Sequence, residues 1–321
     1  MANQNVSVFT TAMRTEFINA YEEVAAPAEY LGYTTVIPST ARIEHYPWLS
    51  PTPAIDQYKG HRRVGKISEI MYNVPNLEYD SSFEVLTRDV KDDQTGGYLV
   101  KSRELAKKAQ MFPGREALRH LSLGKTRKCF DGTAFFAGSH SIGTGNNLLT
   151  FDGTSNDATT HYLIALVTTG PVKPLIWQAR QEPDLQNDLD TAISKFSKKA
   201  RFWIDLEGAA AYGRWHDAIV VTITDTPSVT EIQTILGNVE NRLRTFSLPT
   251  GVASDANATE YIHEQLVFTR ETITFVVSST LGNLMRQVLN QDTIVQSGAA
   301  VTNIYKGFGS LVVSGIVNTV S

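Results

Sequence analysis

Five prolines, Pro27, Pro38, Pro47, Pro51 and Pro53, fall in one stretch that also carries Tyr30, Tyr33, Tyr46, Trp48 and Tyr58. Each proline removes a backbone N–H and pushes the residue before it toward extended backbone. Residues 27–60 are therefore barred from a long helix or an interior strand. A free linker would be polar, whereas aromatic rings on an extended arm need a surface to lie on, the chain's own body or a neighbour's. Such a chain must join a compact core to a long excursion.

The flanking segments read as follows. Residues 8–25 place Met13, Phe17, Ala20, Tyr21 and Val24 on one helical stripe that Pro27 ends. Residues 62–93 read as a long two-stranded hairpin turning at Pro75-Asn76, with Leu77, Tyr79, Phe83 and Val85 alternating against Glu78, Asp80, Ser82 and Glu84. A hairpin that polar on one face is marginal alone and needs a support. Residues 95–123 carry the longest helical pattern, through Leu105, Ala109, Phe112, Leu118 and Leu121. Pro113-Gly114 is expected to kink it and Gly124 to end it.

Farther on, residues 158–168 read as a short helix, and Leu175–Gln178 and Ile219–Thr224 as buried strands. Residues 228–245 form a helix that Ser228 or Thr230 can cap, with Ile232, Ile235, Leu236, Val239 and Leu243 as its stripe. Residues 266–277 are β-rich. A further helix, capped by Ser278 or Ser279, carries Leu281, Leu284, Met285, Val288 and Leu289, and strands close the chain at 301–305 and 310–317. The fold class is α+β.

Lys and Arg total 29 against 33 Asp and Glu, a net charge of -4, so the chain as a whole is not built to grip nucleic acid. His61-Arg62-Arg63, Lys125 to Lys128 and Lys195 to Arg201 read as solvated basic faces, or as contacts to acidic neighbours or enclosed DNA. One cysteine rules out an intrachain disulfide. The polar start predicts no export leader, and the apolar runs are too short to span a bilayer. Charged residues make up 19% of the chain, below the usual quarter, which suits large obligate interfaces or a free surface rich in Thr, Asn and Ser.

Chemistry is best sought at Cys129-Phe130-Asp131-Gly132 and the following Phe135, Phe136 and His140. Cys129 with His140 would make a thiol nucleophile and its base. Cys129 instead follows a helix C-terminus and abuts Phe130, which disfavours a thiolate, so a buried small residue is the expected role. Gly138 to Gly145 lacks the Lys-Ser/Thr ending of a phosphate loop, and Ser139 sits in no nucleophile elbow. Asp92 and Asp93 read as helix N-terminal charges, and Asp184, Asp188 and Asp190 lack a calcium-loop pattern. The seven histidines show no zinc spacing, so neither metal nor cofactor is expected. Trp203 and Trp215 bracket small residues, which points to close backbone packing, with carbohydrate stacking as the sharper alternative.

The segment from Cys129 to His140 resembles the central signature of Mu-like phage major head subunits. Tyr46-Pro47-Trp48-Leu49, Tyr58, Gly60 and Arg62 are similar to that family's arm, Glu84 to Asp93 to its following stretch, and Thr274 to Val312 to its close. Tyr58 stands where the family often has Trp, and Ser278-Ser279 where it often has Pro-Pro. The resemblance implies an HK97-like capsid fold: an N-terminal helix and arm (1–60), an E-loop hairpin (61–94), a P-domain with spine helix (95–224), an A-domain region (225–275) and a closing helix and strands (276–321). It implies a non-enzymatic major capsid protein, assembled in the host cytoplasm into the icosahedral head of a tailed phage. Its implied partners are copies of itself in hexamers and pentamers, scaffold, portal and decoration proteins, and double-stranded DNA. Inter-subunit contacts would fall on Tyr46, Trp48, Tyr58, Arg62, Arg63, Tyr72, Tyr79 and Phe83. A nanocompartment shell of the same fold and a cysteine-dependent hydrolase are the other readings.

Overall fold

The computed structural model describes residues 2–23, 29–49, 58, 72–86, 88–89, 96–141, 145–188, 196–248, 264–296 and 299–321. Helix α1 (Ala2–Glu23) lies on the long helix α2 (Gly97–Ser122). Small residues of α2, Ser102, Ala106 and Ala109, admit Met13, Phe17 and Ala20 of α1 into one buried cluster. Ser102 Oγ donates to the Met13 carbonyl at 2.8 Å and Gln110 Nε2 to that of Tyr21 at 3.1 Å.

That pair of helices covers a four-stranded sheet of order β1-β7-β8-β4: β1 (Thr34–Pro38), β4 (Leu77–Leu86), β7 (Leu175–Asn187) and β8 (Lys199–Tyr212). A five-stranded sheet runs β15-β12-β6-β9-β5: β5 (Leu148–Asp152), β6 (Thr160–Val167), β9 (Ala218–Thr224), β12 (Ile273–Val277) and β15 (Ser310–Val313). Helices α3 (Val229–Thr245) and α4 (Gly282–Asn290) pack on each other beside it. Three two-stranded ribbons complete the fold: β2 (Ile43–His45) with β3 (Asn73–Pro75), β10 (Ser247–Leu248) with β11 (Glu264–Gln265), and β13 (Thr293–Gln296) with β14 (Ala299–Thr302).

The described part of the expected hairpin pairs elsewhere. β3 pairs antiparallel with β2 of the arm, while β4 pairs over ten residues with β8, from Leu77↔Gly208 to Leu86↔Lys199. The reason is burial: β8 offers Phe202 and Ile204 as apolar partners, and Phe83 stacks on Phe202 at 5.2 Å. Asn76 holds the corner by donating to the Ala41 carbonyl at 2.8 Å. Residues 62–71, the other half of that hairpin, lie outside the described residues. Residues 160–167 form a strand, not a helix. A short apolar run carries no period that separates the two, and here β9 and β12 pair with both its edges.

α2 runs unbroken through Pro113. The proline forfeits one hydrogen bond, but a Cβ on the following Gly114 would come within 3.1 Å of Tyr30, so the glycine lets the arm seat a ring on the helix. Of the two expected caps Ser228 starts α3, and it does so in a capping box: Ser228 Oγ accepts from Glu231 N, and Glu231 Oε2 from Ser228 N at 2.7 Å. α4 has Leu281, not a serine, at its N-cap; Ser278 Oγ meets Thr280 and Ser279 bonds Asn318 instead. The five-stranded sheet draws on segments before and after residue 224, so a domain boundary there would separate β6 from its partner β12.

Candidate functional site

The segment after α2 folds back on itself. Gly132 N–H donates to the Cys129 carbonyl at 3.0 Å and Cys129 N–H to that of Thr133 at 2.8 Å, closing a turn in which Gly132 takes φ of 78°, a conformation glycine adopts freely. The turn aims Asp131 inward. Its Oδ1 accepts from Thr133 N–H at 2.9 Å and from the Cys129 thiol at 3.1 Å, and its Oδ2 lies 2.9 Å from His140 Nδ1. The Asp131 and His140 side chains are fully covered. Burial pulls the Asp131 pKa up, but hydrogen bonds from His140, Cys129 and Thr133 outweigh it and hold the carboxyl below its ordinary value.

His140 stacks on Trp215, ring centroids 3.9 Å apart and planes 2° from parallel. Beside them sits Asn147, fully buried. Its Nδ2 donates to the carbonyls of Phe135 at 2.7 Å and Trp215 at 3.2 Å, and its Oδ1 accepts from Ala137 N–H at 2.8 Å and faces His140 Nε2 at 3.3 Å. Phe135 stacks on Tyr212 at 4.3 Å and meets Phe136 edge-on at 4.9 Å; Phe130 is buried too. The signature residues Cys129, Phe130, Asp131, Gly132, Phe135, Phe136 and His140 thus form one knot that ties the end of α2 to the turn after β8.

The knot is not a hydrolase site. Cys129 and His140 each bond Asp131 and not each other, so the sulfur faces a carboxylate that raises its pKa and not the imidazole base a thiol nucleophile needs. Burial first, then the Asp131 charge, raises the Cys129 pKa well above its ordinary value. Sequence reasoning missed Asn147, which sits in a Gly/Asn/Thr-rich loop where nothing marks one asparagine over its neighbours. Carbohydrate stacking is also ruled out for Trp215, which is completely buried.

The expected inter-subunit residues divide. Tyr46 is only 3% exposed and its hydroxyl donates to Gln178 Oε1 at 2.6 Å, so it is committed within the chain, a correction to its assignment as a contact. Tyr72 accepts from Tyr212 N–H at 3.2 Å and its hydroxyl pKa is pushed up to about 12 by burial. Tyr79 packs on Phe112 at 4.6 Å and Phe83 on Phe202. Trp48 and Tyr58 remain exposed, at 42% and 70%. Arg62 and Arg63 lie outside the described residues, as do His61, Asp92 and Asp93. Of the basic clusters, Lys125 donates to Thr222 Oγ1 at 3.0 Å, and Lys199 and Arg201 pair with Glu84. Asp184 pairs with Arg14 at 2.7 Å.

A model of the Mu-like prophage major head subunit gpT family matches residues 6–241, most of the chain. This chain belongs to that family. It is 26% identical to the major capsid protein of Escherichia phage Mu over 225 residues, covering 68% of this chain and 73% of the relative. It is 27% identical to the Mu-like prophage FluMu major head subunit of Haemophilus influenzae over 205 residues, 61% of this chain and 67% of that one. Among solved structures, the bacteriophage JBD30 procapsid subunit matches with a TM-score of 0.72 at 23% identity, covering 97% of this chain and 98% of that one. The JBD30 capsid subunit matches with a TM-score of 0.71 at 18% identity over 91% of each. The fold is therefore HK97-like, and the chain is a structural major head subunit, not an enzyme.

In this head subunit the turn after β8 holds two buried titratable neighbours of opposite habit. Burial, with Arg214 and His140 nearby, pushes the His216 pKa from 6.5 down to about 3; neither ring nitrogen makes a hydrogen bond among the described residues, and Nε2 lies 3.9 Å from Asp217 Oδ1. Burial pushes the Asp217 pKa from 3.8 up to about 7, against the opposing pull of Arg214. Between pH 4 and 6.5 the unfolded chain holds a proton on His216 that the folded one lacks, which makes stability rise with pH. Over the same window the folded chain holds a proton on Asp217 that the unfolded one lacks, which makes stability fall. The two slopes cancel. Asp217→Asn leaves the rising slope alone, so its stability relative to the parent is expected to climb by about 1.4 kcal/mol per pH unit across that window. His216→Gln is expected to show the reverse. Urea unfolding of unassembled subunits at pH 4.5, 5.5 and 6.5 reads both slopes; parallel curves for Asp217→Asn and parent refute the cancellation.

Proposed function

We propose that this chain closes into an icosahedral head shell of hexamers and pentamers around double-stranded DNA, assembling in the host cytoplasm with scaffold, portal and decoration proteins. The observation that supports it most is likeness along nearly the whole chain to a procapsid subunit and, with a similar TM-score, to a capsid subunit of the same phage. One JBD30 capsid structure is described as decorated with minor capsid protein trimers, which supports decoration here by analogy. In this reading α2 is the spine helix of a P-domain with the four-stranded sheet. The five-stranded sheet with α3 forms the A-domain, and the arm and the segment before β4 reach between subunits.

The enclosed DNA needs a surface that meets phosphates without reading bases. α2 suits it: Lys101, Arg103, Lys107, Lys108, Arg115 and Arg119 lie exposed on one side of the helix, and Lys107 and Lys108 form no ion pair among the described residues. Co-expression with the scaffold from the same phage, followed by sizing and electron microscopy, is expected to give closed shells. A lasting monomer with scaffold present would overturn the reading.

A further inference from the structure

His140 has acceptors at both ring nitrogens. Asn147 fixes one side: because its Nδ2 donates to two carbonyls and its Oδ1 accepts from Ala137, it is Oδ1 that faces Nε2 at 3.3 Å. A neutral imidazole carries one N–H. Placed on Nε2, that hydrogen leaves the Nδ1 lone pair turned toward a carboxylate oxygen 2.9 Å away, which is repulsive. Placed on Nδ1, it bonds that carboxylate but leaves the Nε2 lone pair facing Asn147 Oδ1; a metal ion on Nδ1 would let the hydrogen sit on Nε2 and give both ring nitrogens a partner.

The third group of the cluster selects the metal. Cys129 Sγ lies on the other oxygen of the same carboxylate at 3.1 Å, and the ligand atoms of Cys129, Asp131 and His140 all fall within 4.8 Å of one another. Thiolate, carboxylate and imidazole are the donor types that zinc takes, at about 2.0–2.3 Å each. The outer support is also present. A metal-bound histidine holds its other N–H on an oxygen, the place Asn147 Oδ1 occupies, and Thr133 N–H and Ser141 Oγ fix the Asp131 turn.

We propose that Cys129, Asp131 and His140 bind one zinc-type divalent cation. The exchange balances: the thiol proton leaves to solvent, the imidazole keeps its one N–H on Nε2, and the ion bonds Sγ, Nδ1 and a carboxylate oxygen, so that thiolate and carboxylate together neutralise its two charges. A water completes the fourth position. The ion fastens the end of α2 to the turn after β8, so it belongs to the folded subunit and needs no assembly to bind.

The test uses the full chain, purified as unassembled subunits, dialysed against zinc and then against zinc-free buffer, with metal content measured by elemental analysis. The expected result is roughly one zinc per chain, falling to roughly a tenth or less in Cys129→Ser and His140→Gln variants whose circular dichroism matches the parent. Cobalt in place of zinc is expected to give a near-ultraviolet thiolate-to-cobalt band that requires Cys129. If the variants fail to fold, the parent's cobalt band decides alone. Folded parent without zinc, or zinc retained equally by the variants, overturns the site and leaves the hydrogen bonds on Asp131 as what holds the knot.

Discussion

Asn147→Ala is expected to destabilise the isolated subunit by about 3–6 kcal/mol, a large share of what holds a domain together. The side chain is completely buried and serves three backbone groups at once: the carbonyls of Phe135 and Trp215 and the N–H of Ala137. Truncation returns none of these to water. Each orphaned buried group costs about 1–3 kcal/mol, and the His140 contact is lost as well. Asn147→Asp keeps the acceptor but removes both donated bonds and adds a buried charge, so it should be no milder. Asn146→Ala is the control. Its half-buried side chain accepts one bond, from Leu148 N–H at 2.8 Å, and the loss of that bond should cost about 1 kcal/mol. Urea midpoints of unassembled subunits give the comparison. An Asn147→Ala cost no larger than that of Asn146→Ala would mean the packing of Phe135, Phe136 and Trp215 holds the knot without the amide.

The contrast between these two neighbouring asparagines shows what a sequence discloses. α3 was legible because every signal for it is local: a serine with a glutamate three residues on, and apolar residues at helical spacing. α1 and α2 were legible for the same reason, and so was the Cys129 to His140 signature as a family mark. What failed was non-local. β6 needed knowledge of β9 and β12 on its two edges, and β4 needed β8, more than a hundred residues away. Tyr46 looked like a ring in search of a neighbour because its partner Gln178 lies 132 residues downstream. The knot has the same character. His140 needs Trp215 beneath it, and Asp131 looks like any Asp-Gly turn until the fold delivers His140 to it.

Removing residues 59–71, with a short glycine–serine linker in their place, is expected to abolish closed shells while leaving the subunit folded. The anchor survives the cut: β4 still pairs with β8 over its full length, and Val74 and Val85 remain to cover the core. A wider deletion, 65–86, would discriminate nothing. It removes β4 and uncovers Phe202 and Ile204, so shells would be lost through misfolding alone. The narrower cut takes Arg62 and Arg63 and the rest of the proposed reach between subunits, and leaves the exposed rings of Trp48 and Tyr58 in place. A shell closes through many repeated contacts, each on the order of 1,000–2,000 Å². Weakening one class of contact weakens it at every copy, so a modest loss per subunit becomes a failure of closure. The measurements are a thermal melt of the subunit and electron microscopy after co-expression with scaffold. A melt within about 2 °C of the parent, together with open sheets or free capsomers, carries the assignment. Normal shells from the same variant would move the inter-subunit reach elsewhere, with the arm around Trp48 as the next segment to cut.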